Sequence, residues 1–97
     1  WNIEGINGGN EMSLETKEDG LYINGSKVIK GWESVSGWYW FATEMEQEDY
    51  GGAPLWFGFV QGMFNEWGTF SQNELDSQGW RVWEINEEDL PHAGRRD

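Results

Sequence analysis

The stretch Leu21-Tyr22-Ile23-Asn24-Gly25-Ser26-Lys27-Val28-Ile29-Lys30 decides the fold class. Two β-prone runs flank an Asn-Gly pair. Both central residues of a type I′ hairpin turn need a positive φ, which Asn and Gly adopt at least cost. An antiparallel hairpin is therefore expected over 21–30. Further along, Trp38-Tyr39-Trp40-Phe41-Ala42-Thr43-Glu44 carries large side chains on both faces, which marks a central strand. Leu55-Trp56-Phe57-Gly58-Phe59-Val60-Gln61 reads as the next strand, with Gly58 marking a bulge or an aromatic ring laid across the backbone. Trp67-Gly68-Thr69-Phe70 gives a short strand and Trp80-Arg81-Val82-Trp83-Glu84-Ile85 the last.

The segments between these runs are punctuated. Gly31 and the Ser34–Gly37 stretch break the chain after the hairpin, and residues 45–54 form an acidic loop. Ser71-Gln72-Asn73-Glu74 matches the capping box and places a helix, with Leu75 as its apolar contact and Gly79 as its end. Asn86–Leu90 reads as a single turn stopped by Pro91. The sum is a mainly β (α+β) fold of about five strands with one or two short helices. It takes the form of a curved antiparallel meander or a small, partly closed barrel.

Toward the amino terminus, residues 1–19 are rich in Gly, Asn and Glu and read as an irregular arm, leaving 20–97 as one β-rich domain. Met12, followed by Ser13-Leu14-Glu15-Thr16, offers a natural start, which would make residues 1–11 an added segment. Trp1 and Ile3 are expected to pack on their own domain or on a neighbouring chain.

Composition narrows the function. The 97 residues hold eight Trp, five Phe and three Tyr, so the aromatics must supply much of the core, each burying roughly 150–250 Å². Eighteen acidic residues against six basic give a net charge of −12. That argues against direct binding of nucleic acid or an anionic membrane, both of which need Lys and Arg to displace counterions. It also draws cationic partners toward the protein. There is no cysteine, hence no disulfide, thiolate metal site or cysteine nucleophile, which fits a reducing, cytoplasmic setting. No apolar run approaches the roughly 18 residues that span a bilayer.

Catalytic and metal-binding motifs are lacking. His92 is the sole histidine, in a Gly-containing tail after Pro91, and no Gly-x-Ser-x-Gly elbow accompanies it. Glu44, Glu46, Glu48 and Asp49 offer oxygens but lack the calcium-loop pattern; they read as a solvated acidic loop able to meet a cationic partner. No catalytic residue, metal or cofactor is assigned. Glu44, Glu66 and Glu84 each lie in or beside an aromatic strand, where acid chemistry would be sought. Paired carboxylates of that kind would make a small hydrolase.

The tryptophans carry the binding reading. Trp38 and Trp40 fall on one face of their strand, with Tyr39 and Phe41 on the other. Trp80 and Trp83, three apart, fall on opposite faces of theirs. Both faces of the sheet are thus aromatic, whereas a small single sheet has one natural core face. The surplus among Trp38, Trp40, Trp56, Trp67, Trp80 and Trp83 must be covered by the arm, by a second chain as in a homodimer, by another protein, or by a small ligand such as a sugar. Arg95 and Arg96 with His92 form the one concentrated positive spot. They read as a frayed, solubilising tail, or as a contact to the acidic face of another copy.

The segment Trp38–Glu44, then Phe57-Gly58, then Glu66-Trp67-Gly68-Thr69-Phe70-Ser71 with Glu74-Leu75, resembles small uncharacterised proteins of phages, plasmids and other mobile elements. The likeness covers residues 38–75. It implies a mobile-element origin and no particular chemistry. With the charge, it points to an accessory protein that acts by binding another protein, with imitation of nucleic-acid phosphates as one expected means.

Overall fold

Asn24 and Gly25 adopt φ of 51° and 88°, the left-handed pair that the turn demands. The computed structural model describes residues 14–96; Trp1, Ile3 and residues 1–11, with the packing and the added segment expected there, lie outside them. Leu14–Lys17 (β1), assigned to the arm on composition, is a strand: it pairs antiparallel with β2 (Gly20–Ile23) from Leu14↔Ile23 to Lys17↔Gly20. Across the Asn-Gly turn β2 pairs with β3 (Ser26–Lys27). These three strands form a small sheet of their own.

The run expected as one strand over 26–30 is split. Val28 is buried in the core and its N–H reaches back to the Leu21 carbonyl, while the Ile29 N–H bonds the Ala42 carbonyl in the next sheet. The chain crosses between sheets at this point. It continues as β4 (Lys30–Ser34), a strand that the Gly and Ser punctuation concealed.

The main sheet then builds as β5 (Tyr39–Gln47), β6 (Leu55–Gln61) and β7 (Asn65–Ser71), a meander in which β5 and β7 each outrun their expected lengths. A short helix α1 (Gln72–Asp76) and a single 3-10 turn (Gly79–Arg81) follow. Trp80 therefore sits in a turn, not on a strand. The last strand, β8 (Val82–Glu84), returns across the molecule to pair with β4. The order is β7-β6-β5-β4-β8, all antiparallel and open at both ends. The curved open sheet is thus the form realised, and not the barrel. The final 3-10 turn, Leu90–His92, incorporates Pro91 in its first positions instead of stopping before it.

Gly58 marks a bulge, on the partner strand. Pairing passes from Ala42↔Gly58 to Glu44↔Phe57, leaving Thr43 as the extra residue. The Thr43 hydroxyl donates to the Phe57 carbonyl at 3.3 Å. The strands approach so closely here that β6 tolerates no side chain at 58.

Both faces of the main sheet bear cores. On the first, Phe41 and Phe59 pack with Leu21, Ile23 and Val28 of the small sheet and with Ile85 and Leu90 of the C-terminal segment; Leu14, Tyr39, Trp67 and Ala93 border them. On the second, Trp32, Ala42, Trp56 and Phe70 pack beneath Leu75 of α1, bordered by Trp40, Val60 and Val82. Each aromatic buried brings about 4–6 kcal/mol of gross transfer free energy. A whole domain retains only about 5–15 kcal/mol. A sheet with aromatics on both faces must therefore cover both.

Candidate functional site

The second face is covered only in part. Trp32 meets Trp56 at 5.8 Å between ring centroids and Phe70 edge-on at 5.8 Å, and the Trp56 indole N–H donates to the Gln72 side chain at 3.2 Å. Of that cluster only Phe70 also lines the space beside it. Beside it, Trp38 and Trp40 remain half-buried, their rings 5.9 Å apart and tilted by 37°. They floor a cleft of about 510 Å³. Its walls come from the 34–36 turn on one side and from Glu74, Leu75, Ser77, Gln78, Arg81 and Val82 on the other.

Local chemistry explains each wall. The Ser34 hydroxyl, itself buried, shares a hydrogen bond with that of Ser36 at 2.9 Å and accepts from the Trp38 N–H at 3.1 Å. This pins the turn that presents Trp38. On the other side, Ser71 caps α1 by accepting from the Glu74 N–H at 3.1 Å. The reciprocal half of the capping box is not made. The Glu74 side chain has neither a hydrogen bond nor an ion pair, and Glu74 is one of the residues that line the cleft. The Arg81 guanidinium lies over the Trp80 ring, 5.1 Å from its centroid.

The C-terminal segment, expected as a frayed tail, is fastened. The buried Gln61 amide donates to the Arg95 carbonyl at 2.9 Å and accepts from the Arg95 N–H at 2.7 Å. The Arg95 guanidinium then donates to the carbonyls of Gly37 at 3.2 Å and Gly62 at 2.7 Å, the two loops that flank Trp38. Arg96 donates to Thr16 and to the carbonyls of Pro91 and Ala93. These arginines thus brace the fold and are not a loose positive spot. Gly62 lies against the Trp38 indole, where a Cβ would fall 2.6 Å from the ring. Val35 of the cleft wall is 56% exposed, and apolar residues near the cleft in sequence are open to solvent too: Met63 and Phe64, after Gly62, at 80% and 72%, and Trp80, before Arg81, at 73%.

The other expected residues scatter. Trp56 is core and Trp67 stacks on Phe57 and Phe59 on the first face, so neither is presented to a ligand. Trp83, half-exposed, lies opposite Glu33 at the β8 edge of that first face. The tyrosine beside it, Tyr39, donates to Glu33 at 3.1 Å. Burial first, then the Glu33 charge, raises the Tyr39 pKa above that of an ordinary phenol.

Glu44, Glu46, Glu48 and Asp49 are all exposed, the first two on β5 and not in a loop. Asp49 accepts from the Gly52 N–H at 2.8 Å, closing the turn. Among the described residues no group of three or more His, Cys, Asp or Glu is placed to hold a metal ion, and no helix is long and apolar enough to cross a membrane.

The three carboxylates considered for hydrolysis do not meet. Glu66 and Glu84 lie on edge strands with three strands between them, four spacings or roughly 19 Å apart, whereas a catalytic pair needs about 5–9.5 Å. Glu84 is tied to Lys30 at 2.7 Å. Glu44 aligns with Phe57 on the first face, and Glu66 with Val60 on the second. Of the expected binding residues, the structure brings together Trp38 and Trp40 in the cleft, while Trp80 carries the guanidinium of the wall residue Arg81 over its ring. Sequence reasoning missed Ser34, Phe70, Glu74 and Arg81, although the capping box had placed Glu74 at the start of a helix. No family model, no curated protein and no solved structure matches the chain.

Proposed function

We propose that this protein is a binding module that grips a basic protein partner through the Trp38–Trp40 cleft and its apolar rim. The observation that carries the reading is the rim. A small ligand would be served by the cleft alone, yet the wall residue Val35 is exposed, and so are Trp80, next in sequence to Arg81 of the wall, and Met63 and Phe64, which follow the Gly62 that lies against Trp38. Aromatic residues, Met and Arg are the types enriched where proteins meet. The net charge of −12 favours a cationic partner over a second copy, because two such chains repel. The resemblance over residues 38–75 supports a phage or mobile-element accessory role. Charge of this sign supports competition for a cytoplasmic protein that ordinarily holds nucleic acid.

The test is selection from a displayed library of random peptides. Enriched sequences should be basic with an aromatic or aliphatic anchor. Binding should fall at least about tenfold in Trp40→Ala and weaken as salt rises. Enrichment that ignores Trp40, or no enrichment at all, overturns the proposal. Light scattering at low and high salt reads the self-association alternative directly; a salt-resistant dimer would make the second copy the occupant.

A small-ligand reading has one observation in its favour. The cleft volume of about 510 Å³ lies within the roughly 300–1,000 Å³ of ligand sites, and its Ser, Gln and Glu groups suit a sugar stacked on indole. Changes in tryptophan fluorescence with neutral sugars, unaffected by salt, would favour it.

A further inference from the structure

We infer that the cleft receives the guanidinium group of an arginine side chain, with indole beneath it and the Glu74 carboxylate as its counter-charge; this rests on the protein-binding reading above. Charge flanks the indoles on the second face. A single row of aligned residues crosses the sheet there: Glu66, Val60, Trp40, Trp32 and Glu84. Glu84 is neutralised by Lys30. Glu66, two strands from Trp40, has no hydrogen bond or ion pair, and neither does the Glu74 carboxylate. The one cation lining the cleft, Arg81, lies over Trp80. Among the described residues neither Glu66 nor Glu74 has an ion-pair partner, and Arg81 is the one cationic residue that lines the cleft.

Ring geometry selects among cations. Trp38 and Trp40 lie side by side at 5.9 Å with a 37° tilt, a shallow platform and not a box. A compact, strongly hydrated ammonium gains most inside a box of rings. A planar, weakly hydrated guanidinium lies flat on one indole and keeps its edge N–H groups free. The wall residues Ser36, Ser77, Gln78 and Glu74 are of types that carry acceptors for them. The molecule already uses this pairing once, in Arg81 over Trp80.

The test is a titration of the intact protein with N-acetyl-arginine amide, followed by the indole N–H resonances. The citrulline analogue (the same shape without charge) and the lysine amide serve as comparisons. Saturable shifts confined to Trp38 and Trp40 are expected. The citrulline compound should give none, and lysine should bind about threefold more weakly. Glu74→Gln, an exposed substitution that leaves the backbone cap intact, should weaken arginine about fivefold. An equal response to citrulline, an unchanged affinity in Glu74→Gln, or shifts at other indoles would sink the inference. The outcomes also separate the two proposals. Selected peptides that need Trp40 but lack arginine overturn the arginine assignment alone. Arginine amide that binds while no peptide is selected overturns the protein-binding reading and leaves a site for small cations.

Discussion

Gly58 of β6 lies directly against the carbonyl oxygen of Phe41 on β5; a methyl group there would overlap that oxygen, and the Cα of Ala42 is 2.8 Å away. The colliding atoms are backbone, so no side-chain rotation relieves the clash. Gly58→Ala is expected to cost about 3 kcal/mol or more. Denaturant unfolding would show it, and a loss under 1 kcal/mol would mean that the bulge at Thr43 can open.

Two tryptophans should respond in opposite ways to truncation. Trp32 is buried in the second core, so Trp32→Ala should lose about 3–5 kcal/mol. Trp80 is exposed in its turn, so Trp80→Ala should change stability by no more than about 0.5 kcal/mol while weakening selected peptides severalfold. Urea midpoints together with peptide affinities check both halves.

Gln61→Leu keeps the volume and removes both bonds to the Arg95 backbone. Stability should fall by about 1–2 kcal/mol, a drop in Tm of roughly 5–10 °C for a domain of this size. The Arg95 amide should lose its protection from hydrogen exchange. Unaltered protection would place the hold on that segment in Arg96 and Thr16 instead.

Burial and the neighbouring Glu33 raise the Tyr39 pKa in the folded state. Above about pH 10 the unfolded chain releases this proton first, so the folded state binds more protons and stability must decline as pH rises. Below that range the group contributes no slope. Tyr39→Phe should flatten the alkaline decline in part. Tyr22, raised chiefly by its hydrogen bond to Asp19, leaves a residual slope. Identical alkaline slopes in wild type and Tyr39→Phe would exclude Tyr39 as a source.

The fold was legible where local signals and tertiary needs agree. Asn24-Gly25 demands its turn from any context, and the alternation of Tyr39, Trp40, Phe41 and Ala42 sorts them onto the two faces as read. It failed where pairing is set by distant partners. Lys30–Ser34 has weak strand character and becomes β4 because β5 and β8 both pair with it. Trp80 was read as strand from its β-prone neighbours, but Gly79 (φ 62°) turns the chain and begins a 3-10 turn. The site was half legible. Trp38 and Trp40 were visible as surplus, while the roof over them depends on how α1 crosses the second face, and no residue pattern encodes that crossing. The role of Arg95 was hidden for a similar reason: its acceptors are carbonyls of loops 33 and 58 residues away.

Strand order has a consequence for synthesis. β4 stands between β5 and β8, yet β8 is made last. While a ribosome is still extending the chain, β4 has an open edge, and Trp32 with it, until residues 82–84 emerge. The sheet is therefore completed only once residues 82–84 have been made. A nascent chain stalled before that point would present an unpaired, aromatic-rich edge to its neighbours, the kind of surface that invites aggregation.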